Sequence, residues 1–126
     1  MIISVDYGIQ KTGIAISDNN EKIALKYKVI NEKSLINLIN QIYEIVKQNK
    51  VSTVVLGVPR STISKRVQLI AKQLKNLGIR VILWDENFTS LMARNNLQGL
   101  KTKKHNINSE SARIILQEYL DFIKSS

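Results

Sequence analysis

Apolar positions come first in short blocks at strand spacing and later at helical spacing. Ile2–Asp6 is an apolar run that ends in a carboxylate, and Gly8 to Gly13 reads as a turn. Ile14, Ala15 and Ile16 open a second strand that returns antiparallel as a hairpin. Lys22–Ile30 alternates, with Ile23, Leu25, Tyr27 and Val29 on one side and Lys26 and Lys28 facing out, which predicts an edge strand. Leu35, Leu38, Ile39, Ile42, Ile45 and Val46 then predict a helix of about 15 residues. Val51–Val58 and Ile79–Trp84 are continuous, β-branched runs suited to parallel strands covered on both faces. Between them Val67, Ile70, Ala71, Leu74 and Leu77 mark a helix that stops at Gly78. A helix from Phe88 to Leu97, a loop from Gly99 to Ile107 and a last helix from Ser109 to Ile123 complete the chain. That helix turns Ala112, Ile115, Leu116, Tyr119 and Leu120 inward. The order β-β-β-α-β-α-β-α-α is a three-strand meander followed by two βα crossovers. It predicts an α/β fold with a mixed five-stranded sheet and helices on both faces.

With 126 residues and no linker, repeat or low-complexity tract, residues 1–126 read as one domain. The chain has no cysteine, which excludes thiol catalysis and zinc–thiolate sites and suits a reducing cytoplasm. The opening MIISVDYG is too short and too quickly charged for a signal peptide or a membrane span.

Charge changes the picture more. The net charge is +9, from 19 Lys+Arg against 10 Asp+Glu. Residues 1–59 carry 7 Lys and 5 acids, whereas 60–126 carry 12 Lys+Arg and 5 acids, including every arginine. Two windows, 60–84 and 87–109, contain no acid at all. A surplus of this kind predicts an anionic partner, most often nucleic acid. Arginine clustering suits phosphate, because a planar guanidinium matches paired oxygens. Two Phe, one Trp and four Tyr are too few for a base-stacking platform, so backbone positioning is expected.

The candidate chemistry narrows by elimination. His105 is the only histidine, which excludes a His-Asp relay or an HExxH zinc site. Gly57-Val58-Pro59-Arg60 lacks the second glycine and the Gly-Lys-Ser/Thr ending of a phosphate loop. Asp6, Asp85 and Glu86 stand at the carboxyl ends of predicted strands, where open α/β sheets gather ligands. Converging carboxylates there make an oxygen-ligand site for Mg²⁺ or Mn²⁺. Asp85 and Glu86 are sequential and point to opposite sides, so only one of them joins Asp6 easily. A strand-end cap or ion pair is the expected role of Asp85. Asp18 lies about 17 Å back along the second strand.

Four stretches carry a specific resemblance. Asp6-Tyr7-Gly8, Lys11-Thr12-Gly13-Ile14-Ala15 and Ser17-Asp18 resemble the DYGxKRxGxAxSD opening of the YqgF family. Gly57-Val58-Pro59 resembles its GLP, and Asp85 to Ser90, followed by Ala93-Arg94, resembles its DERxTT segment. Ser109 through Asp121 resembles DSxAAxxILQxYLD. The family consists of RNase H-like proteins related to Holliday junction resolvases and described as nucleases of pre-16S rRNA. The resemblance implies an RNase H-like fold and an acidic metal site of Asp6, Glu86 and Asn108, the residue before the last predicted helix. Two cations about 3.5–4 Å apart would serve phosphodiester hydrolysis there. It implies that Lys11 steadies a phosphate, with Thr89 capping a helix or binding the backbone. Arg60, Lys65, Arg66, Arg94, Lys101, Lys103 and Lys104 are the further phosphate contacts expected from the basic windows.

The departures are chemical. The family pattern has aspartate where this chain has Asn108, which offers a carbonyl oxygen and no charge, and which also suits a helix N-cap. Glu110 stands in only if the helix start is frayed, because two residues along a helix is about a 200° rotation. Gln10 and Lys11 replace the usual Lys-Arg pair, and the loop after Pro59 is short. The first expectation is a metal-dependent nuclease of structured RNA, processing the 5′ end of pre-16S rRNA and meeting ribosomal precursor particles. Branched DNA, as for a Holliday junction resolvase, is the alternative substrate. A binder weakened in catalysis by Asn108 is the alternative class. An actin-like ATPase would need a second lobe.

Overall fold

The structure is a computed structural model that describes residues 1–58, 63–85 and 104–124, with backbone course alone for 104–109. Five strands form one sheet: β1 (Ile2–Asp6), β2 (Lys11–Ser17), β3 (Ala24–Asn31), β4 (Thr53–Val58) and β5 (Arg80–Asp85). Their spatial order is β3-β2-β1-β4-β5. β1 pairs antiparallel with β2, and β2 with β3, while β4 runs parallel to both β1 and β5. The mixed five-stranded sheet expected from the apolar pattern is therefore present. Helices α1 (Leu35–Gln48), α2 (Lys65–Asn76) and α3 (Lys104–Lys124) flank it.

Strand alternation divides the core in two. One layer joins Ile3, Val5, Ile14, Val54, Leu56 and Val58 to Leu38, Ile42 and Ile45 of α1 and to Val67, Ile70 and Leu74 of α2. The other joins Ile2, Ala15, Ala24 and Val55 to Ala112, Ile115, Leu116, Tyr119 and Leu120 of α3, the inward set read from the sequence. Each fully buried Ile or Leu contributes about 1.5–3 kcal/mol. Ser34 and Ser64 cap α1 and α2 by accepting from the amides of Asn37 at 3.3 Å and Val67 at 3.2 Å. No helix among the described residues is long and apolar enough to cross a membrane.

Four expectations shift. β2 begins at Lys11, inside the span read as a turn. In β3 the register steps from Ile14–Lys28 to Ala15–Lys26, so Tyr27 is an extra residue in a β-bulge. The bulge breaks the alternation read from the sequence at Tyr27, and Ile23, Leu25 and Tyr27 are all exposed rather than inward. β5 is an edge strand with partly exposed residues, not one covered on both faces. The last helix starts at Lys104 rather than Ser109. Asn106, Asn108 and Ser109 favour caps over helix interiors, yet a helix anchored by its later turns gains a hydrogen bond for each residue it adds. Asn108 is thus within the helix and not its N-cap. The predicted helix from Phe88 to Leu97 lies outside the described residues.

Candidate active site

Asp6 ends β1, the central strand, and is only 8% exposed. Its strand neighbours are Gly13 on β2 and, one step past the Val5–Leu56 pair, the end of β4. The hairpin that follows is tight. A side chain at Gly8 would come 2.2 Å from the Lys11 carbonyl oxygen, so only glycine fits. Thr12 bridges the same turn, its hydroxyl donating to the Gly8 carbonyl at 3.4 Å and accepting from the Gly8 amide at 3.5 Å. This geometry carries Lys11 back to the face of the sheet that holds Gly13 and Asp6.

α3 crosses that face on polar anchors. The buried Ser4 hydroxyl donates to the Ala112 carbonyl at 2.6 Å. Lower down, Gln117 accepts from the Ala24 amide at 2.8 Å and donates to the Lys22 carbonyl at 3.0 Å. These contacts run the helix antiparallel to β1. Asp6 lies about 7 Å beyond Ser4 along the strand, and position 108 lies about 6 Å before Ala112 along the helix. The backbone at 108 therefore reaches the level of Asp6. Gly57 opens the approach, since a Cβ there would lie 2.5 Å from Ile115 Cδ1.

Asp85 falls elsewhere. It pairs in register with Val58 and shares that residue's α1/α2 face, opposite to Asp6, and it is exposed. Two strand spacings, about 10 Å, separate β5 from β1.

Glu110 is committed to the sheet edge. Its carboxylate accepts from Arg113, with Nε at 3.1 Å and a second contact from Nη2, and pairs with Lys26 of β3 at 3.2 Å. Arg113, and secondarily Lys26, hold the Glu110 carboxyl below the usual glutamate range. The helix begins six residues before it, at Lys104. Asp18, at the far end of the sheet, accepts from the amides of Lys22 at 2.8 Å and Ile23 at 3.2 Å, and these bonds lower its pKa. It closes a turn.

The basic residues divide too. Arg66, in the first turn of α2, donates from Nε to the Tyr7 hydroxyl and from Nη2 to the Lys33 carbonyl at 3.1 Å, with its guanidinium 5.7 Å from the Tyr7 ring centre. It braces the residue beside Asp6, a role that its place in an acid-free window did not reveal. Lys65 is exposed next to it. Lys104 begins α3. Glu86, Thr89, Arg60, Arg94, Lys101 and Lys103 lie outside the described residues. Among the described residues no group of three His, Cys, Asp or Glu side chains is placed to hold a metal ion.

This chain is similar in sequence to several curated proteins and in fold to several solved structures. A protein from Chloroflexus aurantiacus is 35% identical across 100% of this chain and 90% of its own length. One from Caldanaerobacter subterraneus is 34% identical across 99% of both chains. Both carry the name "Putative pre-16S rRNA nuclease". Among solved structures, Thermus thermophilus RuvC in complex with a Holliday junction superposes with a TM-score of 0.61 at 10% identity, covering 98% of this chain and 96% of that one. The fowlpox virus resolvase, also solved with junction DNA, gives 0.59 at 15% identity over 97% of each chain. These likenesses establish the RNase H-like fold of the resolvases. The family model described as "RuvX: Holliday junction resolvase" matches residues 1–122, and the chain belongs to that family, the one its motifs resemble under the name YqgF.

Proposed function

We propose that this chain is a metal-dependent nuclease that hydrolyses phosphodiester bonds in structured nucleic acid, with the 5′ end of pre-16S rRNA as its substrate. The observation that carries this reading is the buried carboxylate of Asp6 at the end of the central strand, with α3 pinned across it in a chain of the RuvX family. The curated relatives' name supports pre-16S rRNA as the substrate.

Asp6, Glu86 and the Asn108 carbonyl would hold the ion. With no cysteine and one histidine in the chain, the donors are oxygens, which fits Mg²⁺ or Mn²⁺. When bound, such an ion activates water and stabilises the departing oxygen. Of the two sequential acids, Glu86 is the one we assign, because Asp85 faces away from Asp6. Lys11, on Asp6's side of the sheet, positions a phosphate. Arg60, Lys65, Arg94, Lys101, Lys103 and Lys104 neutralise the flanking backbone. Arg66 acts through Tyr7, as a brace rather than a phosphate contact.

Asn108 favours a second reading, a nucleic-acid binder with little turnover, because the site then supplies two negative charges where the family pattern supplies three. Incubation with Mg²⁺ or Mn²⁺ and either labelled pre-16S rRNA or a four-way DNA junction separates these. The nuclease reading expects RNA cleavage by the wild type, improved by Asn108→Asp at low metal. Binding without turnover, with activity appearing only in Asn108→Asp, establishes the binder. Cleavage of the junction alone overturns the choice of RNA.

A further inference from the structure

Helix α2 has two unlike flanks. Val67, Ile70, Ala71 and Leu74 face the core. On one side of that buried stripe Leu69, Gln73 and Leu77 border α1 beside Ile36 and Ile39. On the other, Lys65, Gln68, Lys72 and Lys75 recur at spacings of three, four and three residues, which aligns them in one exposed row. The row is about 15 Å long. A shallow depression of about 340 Å³ runs beside it, lined by Gln68, Ala71, Lys72, Lys75, Asn76 and Leu83 of β5. No acid occurs from residue 60 to 84, and no ion pair among the described residues engages Lys65, Lys72 or Lys75.

We propose that this flank of α2 is a second phosphate-binding surface, which receives a duplex arm of the nucleic acid as it leaves the active site. The inference rests on the nucleic-acid reading above and adds a path to it. The path starts at the end of the sheet that holds Asp6, because α2 follows the end of β4 and Arg66, adjacent to Lys65, contacts Tyr7, the residue after Asp6. It then leads away from the carboxyl end of the sheet, since α2 returns from the end of β4 toward the start of β5. Its chemistry specifies the occupant. Lysines are point charges that attract phosphate without reading bases. The row and its depression contain no aromatic residue on which an unpaired base would stack. At about 3.4 Å per base pair of B-form duplex the row spans about four steps of one backbone, and somewhat more of a shorter-rising A-form RNA stem.

The test is the salt dependence of binding by the full chain to a labelled, fully paired RNA stem, without divalent metal so that no cleavage intervenes. Lys72→Gln/Lys75→Gln is compared with Lys28→Gln/Lys47→Gln, which removes the same charge from β3 and α1. Each phosphate contact contributes about 0.9 to the slope of log affinity against log salt, so the α2 pair should flatten it by about 1.8 and the control pair should leave it unchanged. An unchanged slope in the α2 pair, or equal flattening in both pairs, overturns the proposal and leaves the nuclease reading standing. A wild-type chain that binds no RNA stem and no four-way DNA junction overturns both.

Discussion

The two faces of the sheet are built on different principles. The α1/α2 face is held by interlocked aliphatic side chains, Ile3, Leu56, Leu38, Ile42, Ile70 and Leu74 among them. The α3 face has fewer large side chains and adds directional contacts: Ser4 to Ala112, Gln117 to β3, and Trp84 to Glu118 at 3.4 Å. Trp84 also meets Tyr119 and Phe122 edge-on, with ring centres 5.5 and 5.4 Å apart. Apolar packing is non-directional and tolerates small slips, whereas a 2.6 Å hydrogen bond fixes one register. The difference teaches where precision is placed. The face with the specified register is the one that presents Asp6.

This contrast breaks most visibly if the aliphatic face also controls chemistry. Ile42→Ala should cost about 2–5 kcal/mol, read as a lower urea midpoint, while cleavage per folded molecule stays unchanged. Ser4→Ala removes the anchor on the Ala112 carbonyl, which keeps its helical partner, and should cost about 0.5–1.5 kcal/mol. In contrast to Ile42→Ala, it should also lower cleavage by the molecules that remain folded, because α3 loses its register against β1. Gly57→Ala pushes on Ile115 and should cost about 1 kcal/mol. Adding Ile115→Val removes the Cδ1 that clashes, and a double-mutant cycle in urea should show favourable coupling.

The smallest effect belongs to Glu110. Its carboxyl is held below the usual glutamate range by Arg113 and then Lys26, so its contribution is present above that range and fades as pH falls through the lowered value. Glu110→Gln should cost about 1 kcal/mol or less near neutrality and nothing in acid, measured by urea unfolding at several pH values. Unchanged cleavage in this variant would sharpen the separation of Glu110 from the site. A large loss would place it there.

Much of this division was legible in the apolar pattern. The inward set of α3, the crossovers and the placement of Asp6 at a strand end all follow from periodicity and from where each run stops. The β3 bulge was not legible, because Tyr27 continues an unbroken alternation and only the pairing with β2 shows an extra residue. The start of α3 was hidden by cap-favouring residues whose weak local preference yields to helix continuation. Arg66 and Glu110 show a different blindness. Each has a charge that composition reveals, but their partners Tyr7 and Lys26 are distant in sequence and meet only through the fold. The motif resemblance singles out Asp6, Glu86 and Asn108 as candidates where periodicity alone left several acids open.

We place the chemistry on the carboxylate that ends β1. Single-turnover cleavage of labelled pre-16S rRNA in Mn²⁺ by Asp6→Asn against the wild type, with RNA binding measured in parallel, tests it most directly. Cleavage should fall at least about 100-fold, on the scale of removing one group that stabilises the transition state, with binding nearly unchanged. Cleavage that survives at the wild-type rate would place the chemistry on other residues.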